Sequence, residues 1–139
     1  MTPADCPFNV AILQNYTTDK PWGSWMIDSI KGNIRRTVPD AQIGVYNTQA
    51  GDSLPDESTL DLIVLTGGVY NLLEPDIAPW VVGIMSFVKR VAEADSRPYL
   101  IGLCWGHQAI NVALGGTISF LKEGAMVRPL KDTPIILKP

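Results

Sequence analysis

Four short apolar segments, separated by stretches whose apolar residues recur at helical spacing, constrain this chain more than any other feature. They are NVAILQN at 9–15, QIGVY at 42–46, LDLIVLTGG at 60–68 and YLIGL at 99–103. The first, third and fourth are nearly continuous in hydrophobicity, the pattern of parallel strands covered on both faces. Between the first two, SWMIDSIKGNIRR places Met26, Ile27, Ile30 and Ile34 on one stripe, and Val38-Pro39-Asp40 ends the run. Between the last two, PWVVGIMSFVKRVAEA places Val81, Ile84, Met85, Val88 and Val91 on one stripe, with Pro79 suited to a first helical turn. Ala109, Ile110, Val112, Ala113 and Leu114 supply a third short helix, stopped by Gly115-Gly116. A hairpin, or a strand at 134–137, is expected near the end of the sequence.

Strands alternating with helices predict a three-layer α/β domain with a mostly parallel sheet. With 139 residues, 46% hydrophobic and 18% charged, one domain over 1–139 is expected, with a core of its own. A net charge of −3 gives no basic footprint for a nucleic-acid backbone. No apolar run reaches the ~20 residues of a membrane span, and no secretory signal opens the chain, so a soluble, cytoplasmic protein is expected. One histidine and two cysteines cannot assemble an ordinary zinc site, and neither a P-loop nor a dinucleotide fingerprint occurs, so neither a metal nor a cofactor is expected. Asn15-Tyr16-Thr17 matches a glycosylation sequon without the secretory context that would give it meaning.

Ligands of parallel α/β sheets bind beyond the carboxyl ends of the strands. TGGVYN follows the third predicted strand and CWGHQ follows the fourth. Cys104, in the setting Gly102-Leu103-Cys104-Trp105-Gly106, matches a nucleophile elbow, in which flanking glycines permit a tight strand-to-helix turn. The positive end of the following helix favours the thiolate. Attack on an acyl carbon requires donors for the developing oxyanion, and the N–H groups of Trp105 and Gly68 are the candidates. His107 is three residues along the same helix and is expected to be packed or hydrogen-bonded beneath the elbow rather than serve as base, since a base ordinarily arrives from another element. Cys6 lacks any such context and is read as structural.

GLCWGHQ followed by LGG, with TGG at the preceding strand end, resembles the class I glutamine amidotransferase family over nearly the whole chain. The resemblance implies a flavodoxin-like fold and a cysteine that attacks the side-chain amide of glutamine, releasing ammonia and leaving a γ-glutamyl thioester for hydrolysis. It implies Cys104 as nucleophile, Gly68 and Trp105 as oxyanion-hole amides, Gly102 and Gly106 as elbow glycines, and Gln108 as a contact to the bound glutamine. The segment GGVYNLLEPDIAPW is also similar to stand-alone members that resemble γ-glutamyl peptidases, and it lacks the proline that usually follows the glycine pair. The implied partners are a small-molecule substrate, glutamine or a γ-glutamyl compound, together with a synthase or a second copy of the chain.

The sequence departs from the family at the base. The His-x-Glu pair, well downstream of the cysteine in the family, has no counterpart, because no histidine follows His107 and neither Glu123 nor Asp132 fits the pattern. The expectation is a domain incomplete relative to the family, lacking its His/Glu segment and leaving an open edge or apolar face. Proton transfer contributes roughly 10²- to 10⁴-fold, so impaired catalysis is expected. A binding or regulatory module that keeps the elbow, and a redox-sensing thiol, are the alternatives.

Overall fold

A computed structural model describes residues 6–95 and 98–120. Its elements run β1 (Asn9–Leu13), α1 (Gly23–Thr37), β2 (Gln42–Tyr46), β3 (Leu62–Leu65), α2 (Pro79–Glu93), β4 (Tyr99–Gly102) and α3 (Trp105–Ala113). The four strands form a parallel sheet in the order β2-β1-β3-β4. This is the doubly wound, flavodoxin-like arrangement. The chain reverses its direction of winding between β1 and β3, so the crevice beyond their carboxyl ends is the topological switch point.

The period-two alternation of the strands divides the core into two layers. Val10 and Ile12 of β1 and Val64 of β3 pack with Ile27, flanked by Met26, Ile30 and Ile34 of α1. On the other face, Leu13, Ile63 and Leu65 pack with Val81, Ile84, Phe87, Val88 and Val91 of α2 and with Trp105 and Ala109 of α3. The predicted stripes of α1 and α2 are therefore the faces that seal the sheet. Each fully buried Val, Ile, Leu or Phe side chain contributes about 1.5–3 kcal/mol.

The central strands are shorter than their apolar runs. Segments predicted at 9–15 and 60–68 are strand only over Asn9–Leu13 and Leu62–Leu65. Their last residues leave the ladder to build the loops at the switch point, and apolar patterning does not distinguish the two uses. The third helix begins at Trp105, four residues before the predicted start, because it starts directly from the elbow. Gly115, at φ 92°, supplies the left-handed residue beyond its end.

β4 corrects the expectation of strands covered on both faces. Leu100 packs toward α2 and α3, whereas Tyr99 is 76% exposed and Ile101 and Leu103 are also exposed on the opposite side. Among the described residues α1 covers β1, β2 and β3 but leaves β4 open at the sheet edge. The expected strand at 134–137 lies outside the described residues. No described helix is long and apolar enough to cross a membrane.

Candidate active site at the strand ends

Cys104 closes β4 and opens α3, and it does so in a conformation that L-residues rarely adopt, φ 51° and ψ −104°. It is the one non-glycine residue with positive φ among the described residues. Such a conformation costs about 1–3 kcal/mol and persists only where the surroundings enforce it. The Leu103 N–H donates to the Leu65 carbonyl at 2.9 Å, the Gly106 N–H to the Leu103 carbonyl at 2.9 Å, and the Gln108 N–H to the Cys104 carbonyl at 3.2 Å. These bonds fasten the turn on both sides of the cysteine, whose side chain is exposed.

Gly102 and Gly106 act through space rather than through their own dihedrals. A Cβ on Gly102 would stand 2.5 Å from the His107 nitrogen and 2.6 Å from the Gly106 carbonyl carbon. One on Gly106 would run into the Leu65 carbonyl. The strain sits on the cysteine, and the glycines let α3 approach closely enough to impose it.

The glycine pair after β3 lies against this turn. A Cβ on Gly67 would be 3.7 Å from Cys104 Cβ and 3.8 Å from the Leu103 carbonyl oxygen. Gly68 passes so near the end of β1 that a side chain would strike the Asn15 carbonyl. The Trp105 N–H is the first of α3 and has no helical carbonyl a turn before it. Its indole is 2% exposed and stacks on Trp80 at 5.6 Å between ring centroids, and Trp80 meets Tyr70 edge-on at 5.4 Å. Tyr70 Oη accepts from the Ala78 N–H at 2.7 Å, tying both ends of the 70–78 loop together beside α3. Gln108 faces that loop across a cleft of about 580 Å³, lined also by Tyr70, Asn71, Leu72, Leu73 and Phe120. Cys104 is not part of its lining.

His107 is exposed, which corrects the expectation of a histidine packed beneath the elbow. That space is filled by the Leu65 end of β3 and by the Trp105 indole, so the helix turns His107 outward. Cys6 is likewise exposed and lies at the amino ends of β1 and β2, the far end of the sheet. Glu123 and Asp132 lie outside the described residues. The described residues contain no group of three His, Cys, Asp or Glu side chains able to hold a metal ion.

Two residues at the switch point carry no sequence expectation of a site role. Asn15, 1% exposed, donates through its backbone N–H to Thr66 Oγ1 at 2.9 Å and through Nδ2 to the Thr66 carbonyl at 3.2 Å. Thr66, fully buried, donates through its hydroxyl to the Gly67 carbonyl at 2.9 Å. The strand-end rule, applied to β1 as it was to β3 and β4, points to Asn15; the sequon at the same residue draws attention away. The fold leaves no room for a glycan on a side chain this buried.

A parallel α/β sheet with a strained cysteine between strand and helix, and a glycine turn against it, has the strand–turn–helix geometry of an elbow. Residues 26–135 match the family model for glutamine amidotransferase class-I, and the chain belongs to that family. It is 45% identical over 128 residues to the glutamine amidotransferase-like protein chry6 of Gibberella zeae, an alignment covering 92% of this chain and 53% of that protein. It is 29% identical over 116 residues to the glutamine amidotransferase-like protein chyE of Penicillium rubens, covering 83% and 48%. The chain thus spans about half the length of these relatives. A glutamine amidotransferase crystal structure from Thermotoga maritima shares the fold with a TM-score of 0.59 at 19% identity, over 78% of this chain and 43% of that one.

Proposed function

We propose that the chain carries the nucleophile of a glutamine amidotransferase, with Cys104 attacking the side-chain amide carbonyl of glutamine or of a γ-glutamyl compound. The observation that carries this reading is the positive φ of Cys104 at a strand-to-helix turn, with Gly67 packed against it. In the attack the S–C bond forms and the carbonyl electron pair moves onto oxygen, where the N–H groups of Gly68 and Trp105 receive it. Collapse of that intermediate breaks the C–N bond; the nitrogen takes the proton given up by the thiol and leaves as ammonia from glutamine, or as the corresponding amine from a γ-glutamyl compound, and water then hydrolyses the thioester and frees the thiol. Gln108, which lines the neighbouring cleft, contacts the bound glutamine in this reading. The ammonia serves an acceptor reaction on a synthase partner. Preorganised donors of this kind are worth about 10²- to 10³-fold each in acyl transfer.

A second reading rests on His107, the one histidine of the sequence, which is exposed three residues beyond the cysteine on the same helix. In that reading the chain binds a γ-glutamyl ligand or a partner through the elbow face without turning it over. Incubation of the full chain with L-glutamine, followed by mass spectrometry and glutamate assay, separates the two. Amidotransferase chemistry gives a γ-glutamyl adduct on Cys104 or free glutamate, and both vanish in Cys104→Ala. Glutamine binding unchanged by Cys104→Ala, with no adduct and no glutamate, rejects the first reading in favour of the second.

A further inference from the structure

The peptide unit joining Gly67 to Gly68 is held from the side away from solvent. The Asn15 N–H donates to Thr66 Oγ1, and the single hydroxyl hydrogen of Thr66 is thereby left for the Gly67 carbonyl, 2.9 Å away. The Thr66 N–H donates in turn to the Leu13 carbonyl at 3.0 Å, and Asn15 Nδ2 to the Thr66 carbonyl, so Thr66 is anchored to the end of β1 at three atoms. A trans peptide is planar, and its carbonyl and N–H point in opposite directions. Whatever fixes the Gly67 carbonyl therefore fixes the direction of the Gly68 N–H. Both Asn15 and Thr66 are shut off from water, so no solvent competes for these bonds.

We infer that Thr66 is a positioning residue, whose hydroxyl, oriented by the Asn15 N–H, keeps the Gly68 N–H aimed at the oxyanion that forms on Cys104 acylation. The inference rests on the acyl-transfer reading of the elbow and extends it to residues that touch neither substrate nor nucleophile. It also explains why an asparagine follows β1 in this crevice: its amide reaches across the switch point to the strand that bears the glycines.

The test compares two reactions of one thiol, in the full chain with Cys6→Ser to remove the second exposed thiol. With p-nitrophenyl acetate, the Cys104 thiolate forms an S–C bond to the carbonyl, the carbonyl oxygen becomes an oxyanion, and p-nitrophenolate departs with the electron pair of the broken C–O bond. With iodoacetamide, the same thiolate displaces iodide at carbon and no oxyanion develops. Thr66→Val, which keeps the shape and removes the hydroxyl, is expected to slow acylation by roughly 10- to 100-fold while leaving alkylation within about twofold, and Thr66→Ser is expected to restore acylation. Should Thr66→Val fail to fold, Thr66→Ser against Thr66→Ala gives the same contrast, hydroxyl against none. Equal acylation with and without the hydroxyl overturns the inference alone, and so does a parallel loss of both reactions. No acylation of Cys104 in the unsubstituted protein overturns the acyl-transfer reading and this inference with it.

Discussion

A methyl group on Gly106 would press into the carbonyl and Cβ of Leu65 at the end of β3, and both belong to structure with no room to yield. Gly106→Ala is therefore expected to push α3 off the sheet and relax the cysteine, costing about 1–3 kcal/mol in urea denaturation as overpacking does. A loss below a few tenths would show that the helix shifts freely. The glycine itself, and the cysteine it serves, are plain in the sequence as G-x-C-x-G. What the pattern hides is where the strain falls. The motif suggests that the glycines take the unusual dihedrals, whereas the positive φ belongs to Cys104 and the glycines supply clearance. His107 was equally opaque, because its spacing from the cysteine says which helix it rides but not that Trp105 already fills the space below.

Among the elements, α1 and α2 were legible because an amphipathic stripe needs only one sheet face to pack on, and both found one. The glycines inside them do a different job from those at the elbow. A methyl group on Gly83 of α2 or on Gly32 of α1 would meet nothing within 4 Å, and both residues have ordinary helical backbones. Replacing either with alanine is expected to raise stability by roughly 0.5–1 kcal/mol through helix propensity, seen as a higher denaturation midpoint with no change in the cysteine's reactivity. A fall in stability would mean that these helices are packed more closely than they look. Strand ends were the least legible, since LTGG and LQN carry the run past the last ladder pair, where single bonds from Gln14 to Tyr46 and from Thr66 to Leu13 close the strands before the chain turns away. The same residues hold the site, and the sequence pattern for burial is the same whether a segment pairs in a ladder or turns beneath a crevice.

At the scale of the molecule, two apolar layers share one four-stranded sheet, so neither can melt while the other stands. Phe87→Ala, which empties a fully buried position in the α2 layer, is expected to cost about 3–5 kcal/mol. It should lower the α1 side equally: far-ultraviolet circular dichroism and tryptophan fluorescence, which reports Trp22 and Trp25 at α1 together with Trp80 and Trp105 of the α2 layer, should trace one coincident transition. Separate transitions would mean that the layers fold independently. The order of the elements was readable at this scale because it depends on the alternation of strand and helix patterns alone, whereas the family was readable from GLCWGHQ and TGG at two strand ends. The exposed outer side of β4 was not, because coverage of an edge depends on how far α1 reaches across the sheet, and no local pattern encodes that distance.

The loop that walls the cleft is pinned at its own ends, by Tyr70 Oη on the Ala78 N–H and by the edge-on meeting of Tyr70 with Trp80, whereas the glycine turn is pinned from β1 through Asn15 and Thr66. The two sets of fastenings have no residue in common. Residues 73–76 are exposed and can therefore be exchanged as a cassette, by gene duplication and drift or by loop grafting, with the turn beside Cys104 left as it is, whereas Leu72, buried in one cluster with Leu65 and Trp105, has to stay if the outer wall of the cleft is to diverge alone.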